Sequence, residues 1–218
     1  VWIDGFVALE QDTVRAHVVQ CLKAIQWETE QLNKQAQDWS DWDDLYEYVN
    51  SPSPQFVESN ILPSVFENLR LNFIVVIDPA GNLVHGTAYD LASHATVPLP
   101  DDVRDALGIA PYKRRFADLK PHRGILVASE PMLVAIRPIR DSQCEKPPRG
   151  IFVMGRWVRS HDTTAAGGRL QLHPWRSKAL PPEAAEAKRL LGSGLPSLVR
   201  AYDESHIDGF ACLHDLNG

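Results

Sequence analysis

Apolar and small residues recur at steps of three and four, with one step of seven, along the first part of the chain. The positions are Val7, Val14, Val18, Leu22, Ile25, Thr29, Leu32, Ala36 and Trp39, and the spacing continues to Asp43 and Tyr46. A hydrophobic period of about 3.5 residues is typical of a long α-helix with one buried stripe. We therefore predict one helix of about 40 residues, roughly 60 Å long. It should end near residues 48–50, because the SPSP sequence that follows disfavours helical backbone.

A helix of this length exceeds what an ordinary globular domain needs, and two arrangements fit the pattern. In one, the helix lies across a sheet. In the other, its first half pairs with a partner subunit while its second half packs on its own domain. Imperfect stripe positions such as Gln11 and Thr29 argue against a strong independent coiled coil.

Strand patterns begin after residue 70. The clearest is NFIVVID at 72–78, and the turn PAGN joins it to a hairpin partner at 83–86. No strand is expected within 87–122, although a short helix is predicted at 101–107. Three more strands are predicted at 124–129, 132–140 and 150–158. Five strands with hairpin-like connections after a long helix predict an α+β fold with an antiparallel sheet.

The remaining segments carry shorter patterns. Residues 55–69 are predicted to form a short helical connector with Pro63 inside it. Beyond residue 158 the predicted elements are a turn at 163–168, an edge strand at 171–175, a helix in PPEAAEAKRLLGSG, a second short helix at 195–202, a strand at 207–216 that returns to the sheet, and a turn at 217–218.

Composition narrows the class of protein. The 218 residues are 44% hydrophobic and 23% charged with a net charge of −6, which excludes a disordered chain and gives no attraction to nucleic acid. The three cysteines are too few for a disulfide framework. No apolar run is long enough to span a membrane, and no signal peptide pattern is present. Because the chain starts without Met and its last residues look unfinished, we expect a domain excised from a longer protein.

Motifs for catalysis, cofactors and metals are absent from the sequence. The eight His residues form no HExxH or HxxxH pair, and there is no CxxC, G-x-S-x-G, P-loop or Rossmann glycine pattern. We therefore predict no catalytic residue, no cofactor and no metal site. A hydrolase is the least favoured class, because no pair of nucleophile and base can be named.

The run DWSDWDDLY at 38–46 combines two Trp, one Tyr and four Asp. On one continuous helix, the residues expected to face the domain body are Trp39, Asp43 and Tyr46, with Trp42 beside them, while Asp41 and Asp44 face solvent. The two Trp residues could form either a core wedge or the wall of a ligand pocket. Asp43 could either brace the helix end by accepting hydrogen bonds or contribute to that pocket.

Two arginines lie on predicted strands. Arg156 ends an otherwise buried strand, so we expect it to pair with Asp43 or with a ligand carboxylate. Arg137 alternates with Leu133 and Ala135 and is a second inward-facing candidate, with a solvent-facing edge position as the alternative. The candidate ligand-binding residues are therefore Trp39, Trp42, Asp43, Tyr46, Arg137 and Arg156.

These motifs together resemble the CHASE sensory domains, specifically their fourth class. The matching elements are Asp38, Trp39, Trp42, Asp43, Asp44 and Tyr46, then residues 74–81, then Met154, Gly155, Arg156 and Trp157, and finally the terminal GFACLHDLNG. Ser40 stands where the family often has Ala, and residues 159–206 match nothing in the family closely.

The resemblance implies a PAS-like or Cache-like sheet in a periplasmic, extracytoplasmic ligand-sensing domain, flanked by transmembrane helices at the bacterial inner membrane. The parent protein would be a diguanylate cyclase or phosphodiesterase with GGDEF or EAL modules, or a histidine kinase. Any enzymatic activity would belong to sequence outside this chain.

Two hypotheses about function follow from this resemblance and the residue pattern. In the first, residues 1–50 form a signalling helix and residues 51–218 a sensor body with additional C-terminal helices, the body being one domain together with the end of the helix. A small ligand then binds between the helix end and the sheet and shifts the helix in a homodimer. In the second, the chain is a protein-interaction and dimerisation module without a small-molecule ligand, and a fully packed space behind Trp39 would favour it.

Overall fold

The computed structural model describes residues 2–109, 118–158, 182–192, 197–201 and 207–216. Its helices are α1 (Trp2–Ser40), α2 (Asp43–Asn50), α3 (Pro54–Asn60), α4 (Pro63–Leu69), α5 (Asp101–Leu107) and α6 (Pro182–Leu191). Its strands are β1 (Phe73–Ile77), β2 (Leu83–Asp90), β3 (Ala95–Pro98), β4 (His122–Val127), β5 (Pro131–Pro138), β6 (Ile151–Trp157), β7 (Ser197–Ala201) and β8 (Ile207–Ala211).

Six strands form one antiparallel sheet in the order β3-β2-β1-β6-β5-β4. The five residues of β1 are all buried, because this strand pairs on both edges and is covered on both faces. Its β-branched and aromatic residues fit such a position. The predicted α+β fold with an antiparallel sheet is confirmed.

The two sides of the sheet bury different side chains, because successive residues of a strand point in opposite directions. The side that we call the α5 side contributes its apolar residues to a core with α5, and this core includes Phe73, Val75, Val134, Val153, Val103 and Leu107. The opposite side, which we call the helix side, carries the cross-strand pairs Leu133–Arg156 and Arg137–Phe152. The C-terminal part of α1 lies over the helix side, since Trp39 stacks on Phe152.

The first helix ends at Ser40, earlier than the predicted end near residues 48–50. The backbone of Trp42 is extended, with φ −130° and ψ 128°, and α2 starts after it. The cause is a tertiary contact. The Arg140 amide donates a hydrogen bond to the Ser40 carbonyl at 2.8 Å, and Asp41 forms a β-bridge with Arg140. A carbonyl that would continue the helix is thus bonded to the end of the sheet.

Three other elements of this region differ from the predictions. The connector at 55–69 consists of two helices, because Pro63 starts a new one. β2 extends beyond residue 86, and β3 lies within 87–122, where no strand was expected. β3 is an edge strand with mostly exposed side chains, so it lacks the buried apolar pattern that identifies a strand in a sequence. α5, β4, β5 and β6 agree with the predicted positions.

The C-terminal elements form a separate two-stranded sheet of β7 and β8. The predicted helix at 195–202 is wrong, since residues 197–201 are a strand, whereas α6 agrees with the predicted helix. The strand in 207–216 pairs with β7 and not with the main sheet, although Asp215 bridges to Ile125 of β4. The predicted turns at 163–168 and 217–218 and the edge strand at 171–175 lie outside the described residues.

Glycine at position 209 lets β8 pack directly on the first half of α1. A Cβ atom at this position would overlap the side chain of Val18 and lie 2.9 Å from that of Val14. Both valines belong to the predicted apolar stripe. The stripe of this half is therefore covered at these positions by a strand of the same chain.

The chain divides into two compact units, one of residues 1–27 with 159–214 and one of residues 28–158 with 215–218. The six-stranded sheet belongs to the second unit. The sequence predicted a division of the chain at residue 50, which differs from the boundary after residue 27 between these units. That division stays a prediction. None of the described helices combines the length and apolar character that crossing a membrane requires.

Candidate functional site

The connection between β5 and β6, residues 139–150, contacts the point where α1 ends and α2 begins. Ser142 donates two hydrogen bonds to the carboxylate of Asp43, from its hydroxyl at 2.6 Å and from its amide at 3.1 Å. Both hydrogen bonds lower the pKa of Asp43 below its ordinary value, and the bond from the hydroxyl has the larger effect. Asp43 is exposed, so the prediction that it faces the domain body is wrong. It braces the helix end, which was the other predicted role.

The same connection is internally ordered. Asp141 is only 4% exposed, and its carboxylate accepts a hydrogen bond from the Lys146 amide at 2.9 Å. Its carbonyl accepts a second one from the Cys144 amide at 2.9 Å. This segment therefore forms a folded turn that can hold Ser142 in place.

Tyr46 is the buried anchor of α2 on this connection. It is 2% exposed, and its hydroxyl donates a hydrogen bond to the Pro147 carbonyl at 3.1 Å. The guanidinium of Arg149 lies 4.1 Å from the ring centroid, in a cation–π contact, and donates a hydrogen bond to Glu47 at 3.0 Å. The predicted inward orientation of Tyr46 is confirmed, and its contacts are with protein groups.

Trp39 and Trp42 belong to a continuous series of aromatic contacts. The Trp39 ring stacks on Phe152 with centroids 5.9 Å apart and planes 3° from parallel. Trp42 meets Trp39 edge to face at 6.1 Å and Phe56 at 5.6 Å. Phe56 in turn stacks on Tyr48 at 4.3 Å. The sheet-facing space behind Trp39 is thus occupied by Phe152, the arrangement of a core wedge.

Arg156 does not pair with Asp43, so the predicted bridge between these two residues is wrong. Its guanidinium pairs with Glu28 of α1. It also donates hydrogen bonds to the carbonyls of Leu69 at 2.8 Å and Arg70 at 2.9 Å, at the C-terminal end of α4. Because Trp39 lies over Phe152, four residues or about 13 Å along β6 from Arg156, Asp43 is beyond the reach of Arg156.

Arg137 lies on the helix side of the sheet, as the inward-facing prediction required. It is the cross-strand neighbour of Phe152, on which Trp39 stacks. Its Nε atom is buried and has no hydrogen-bond partner. The six candidate residues therefore separate into three groups: Trp39, Trp42, Asp43 and Tyr46 at the helix junction, Arg156 at the end of α4, and Arg137 between them under α1.

Several residues of these sites were not identified from the sequence. Glu28 lies just off the predicted stripe, and Ser142 lies in a segment without a regular pattern, so neither stands out before the fold brings it to its partner. Among the described residues, no group of three or more His, Cys, Asp or Glu side chains is placed to hold a metal ion.

Comparison with known protein families identifies the family of this chain. Residues 24–173, most of the chain, match the model of the CHASE4 domain. The chain belongs to the CHASE4 family. The double-Trp run, the buried strand β1 and the G-R-aromatic end of β6 all lie within the matched residues, so the predicted resemblance is confirmed. This CHASE4 domain is accordingly a sensory domain with an α+β fold.

Two kinds of similar protein were found. The methanogenesis regulatory histidine kinase FilI of Methanothrix harundinacea is 28% identical over 152 residues, which cover 68% of this chain and 17% of FilI. The match therefore spans about one sixth of that relative.

Among solved structures, a domain of a protein from Vibrio parahaemolyticus described as sensory box/GGDEF family has a TM-score of 0.50 at 15% identity, with 92% of this chain and 96% of that chain covered. The extracellular domain of vpHK1S-Z8, a protein described as a histidine kinase, has a TM-score of 0.43 at 18% identity, with 69% of this chain and 59% of that chain covered. The first likeness supports the predicted PAS-like or Cache-like fold.

Proposed function

We propose that this CHASE4 domain is the extracytoplasmic sensor of a membrane-anchored signalling protein that responds to a small molecule. The location is the one that CHASE4 membership implies. A histidine kinase is the proposed output, because the relative FilI is described as a regulatory histidine kinase. A diguanylate cyclase or phosphodiesterase is the alternative output. In either case the catalytic step belongs to another part of the parent protein.

The observation that carries this proposal is the attachment of the end of α1 to the sheet. The Ser40 carbonyl and the Asp43 carboxylate both accept hydrogen bonds from residues 140–142, directly after β5. A ligand that moves β5 or β6 would therefore move the junction of α1 and α2 with it. Because α1 is one helix of 39 residues, a displacement at its end can be carried along its length.

The candidate residues take different roles in this proposal. Trp39, Trp42, Asp43 and Tyr46 transmit the signal, since each is already bonded or packed within the helix junction. Arg156 stabilises the fold between α1 and α4. Arg137 retains the predicted role in ligand binding, because it lies under α1 with an unpaired buried nitrogen.

Replacing Ser142 by alanine tests the transmission step. In the full-length protein assayed in membranes, Ser142→Ala should change basal autophosphorylation about fivefold, because allosteric coupling energies correspond to changes of roughly 5-fold or more. The control is Ser53→Ala, which also removes a hydroxyl bonded to a backbone amide, that of Phe56 at the start of α3, but at a distance from the junction. Equal output from both variants would exclude the junction as the coupling point, and a parent protein without kinase activity would exclude the proposed output.

A second candidate function is dimerisation, with a second copy of this chain as the partner. It is favoured by two exposed apolar residues of α1, Trp27 at 61% and Val19 at 44% exposure, which lie within an arc of about 80° on the helix. The packing behind Trp39 is the other supporting observation. The proposed dimer uses the outer side of α1, because Val14 and Val18 on the inner stripe are covered by β8.

Substituting glutamate for Trp27 tests the dimer. Trp27→Glu should weaken self-association at least about tenfold, because it places a charge where a large aromatic residue would otherwise be buried. Sedimentation velocity over a concentration series measures this change. Val97→Glu, at an exposed apolar position of β3, is the control and should leave the association unchanged. A wild-type chain that remains monomeric at all concentrations would contradict the proposal.

A further inference from the structure

We propose that Arg137 and Asn33 form a binding site for one small oxyanion, a carboxylate or a phosphate group, between the C-terminal part of α1 and β5. The inference rests on the proposed sensory function and names the ligand chemistry and the place of binding. Two buried polar atoms without a hydrogen bond support it, Arg137 Nε on the sheet and Asn33 Oδ1 on the helix.

Arg137 supplies a cation that has no anionic partner among the described residues. Its Nε atom is buried without a hydrogen bond, and no described carboxylate lies within ion-pair distance of its guanidinium. Two acidic residues of the neighbouring part of α1 already have partners: Glu30 pairs with Arg123 of β4 at 2.8 Å, and Glu28 pairs with Arg156. A partly buried guanidinium without an anion is costly, so an anionic partner is expected at this place.

Asn33 is the complementary group on α1. It is 6% exposed, and its side-chain oxygen has no hydrogen-bond partner. An amide buried to this extent normally forms hydrogen bonds on both of its polar atoms. Because the oxygen and nitrogen of an Asn amide can exchange places by rotation, Asn33 can present an N–H to an anion.

An ion pair, a ring stack and the register of the sheet place Asn33 near Arg137. The Glu30–Arg123 ion pair sets one side of α1 against β4, at the level of Ala135, the cross-strand partner of Arg123. Asn33 lies three residues further, on the same side of the helix and about 4.5 Å along its axis.

Arg137 lies two residues beyond Ala135, about 7 Å along β5, in the same direction. That direction is fixed by Trp39, which stacks on Phe152, the cross-strand partner of Arg137. Asn33 therefore faces the strip of sheet between Ala135 and Arg137.

The chemistry of these groups favours an oxyanion over other ligands. A guanidinium has only donors and binds carboxylate or phosphate oxygens in a planar, two-pronged geometry. The amide adds one donor from the opposite side. Such a ligand would join α1 to β5, the strand that leads into the connection holding the helix junction.

Titration of the purified chain with acetate, malonate and phosphate tests the site, with sodium chloride at equal ionic strength as the reference. At least one probe should raise the thermal unfolding midpoint in a saturable manner, and calorimetric titration should give its affinity. Arg137→Gln should weaken that affinity at least tenfold. Arg104→Gln is the matched control and should stay within about threefold of wild type, because Arg104 Nε is likewise buried without a hydrogen bond but lies on α5, 4.0 Å from the Asp101 carboxylate.

Asn33→Asp gives an independent test that does not require the right probe. The new carboxylate would supply the missing anion, so the unfolding midpoint should rise by about 3 °C or more and binding of the probe should be lost. The inference is overturned if no probe stabilises the chain and Asn33→Asp is not stabilising, or if binding survives Arg137→Gln. If the inference is overturned in one of these ways while Ser142→Ala still alters output, the oxyanion site alone is excluded and the proposed function stands. If the probes bind but the autophosphorylation of the full-length protein never changes, the proposed sensory function is excluded.

Discussion

Replacing Gly155 by alanine is expected to lower the free energy of unfolding of the sheet-containing unit by about 3 kcal/mol or more. Gly155 lies in the middle of β6, paired with Phe73 of β1 and Val134 of β5. A Cβ atom at this position would overlap the ring of Phe73. That ring is completely buried and is packed against Trp157, with centroids 6.0 Å apart, so it has little room to move. Urea unfolding followed by circular dichroism measures the loss.

Gly86→Ala is the matched control for this substitution. Gly86 lies on β2 opposite Val75, and its added methyl group would approach only side-chain ends, those of Leu99 at 3.0 Å and Leu83 at 3.2 Å. These ends can shift, so the change should stay within about 1 kcal/mol. If Gly155→Ala were as stable as Gly86→Ala, the close approach of Phe73 to β6 would be incorrect.

Replacing Arg156 by alanine is expected to cost about 3 kcal/mol, the usual loss when one partner of a mostly buried ion pair is removed. Its side chain is 14% exposed, and it satisfies Glu28 together with the carbonyls of Leu69 and Arg70. The substitution would leave the Glu28 carboxylate and the last carbonyls of α4 without this donor. Chemical unfolding at neutral pH gives the change in free energy.

Two further variants show whether the geometry or the charge of Arg156 matters. Arg156→Lys should recover less than half of the loss, because an ammonium group cannot reproduce the planar set of donors that reaches three acceptors. Arg15→Ala is the control, since Arg15 and its partner Asp12 are both more than half exposed, and it should cost less than about 1 kcal/mol. Full recovery by lysine would show that the hydrogen bonds to α4 contribute little.

Gly155 and Arg156 belong to the G-R-aromatic pattern by which the sequence resembled CHASE domains, and the structure gives each residue a structural reason. Gly155 makes room for Phe73 on the α5 side of the sheet. Arg156 joins α1 to α4 on the helix side. The pattern therefore marks a point where both layers of the domain meet the sheet, and it is not in itself evidence for a ligand.

The acidic and aromatic run at 38–46 was predicted correctly as a meeting point of helix and sheet, but not in its internal arrangement. One continuous helix would place Trp39, Asp43 and Tyr46 on the same face. The backbone contact between Ser40 and Arg140 ends α1 before Asp43 and turns that residue to the surface. The periodicity could not show this, because the partner lies 100 residues further along the chain.

The ion-pair partner of Arg156 was missed for a similar reason. The sequence offered several carboxylates, and Asp43 was chosen for its place in the motif. The partner of Arg156 depends on which residues of α1 lie opposite which residues of β6. The stacking of Trp39 on Phe152 fixes this alignment, and local sequence spacing does not encode it. Glu28 has no local feature that distinguishes it from the other acidic residues of α1.

The amino-acid sequence by itself determined the long helix, the buried central strand and four further strands of the sheet, because these depend on periodicity and β-branched composition within short segments. Its motifs also carried the resemblance to the CHASE family. Only the tertiary structure decided where α1 ends, that residues 95–98 and 197–201 are strands, and which residues meet Asp43, Arg156 and Arg137. Edge strands and ion pairs draw their stability from partners distant in the chain, so their local sequence carries little of the information that places them.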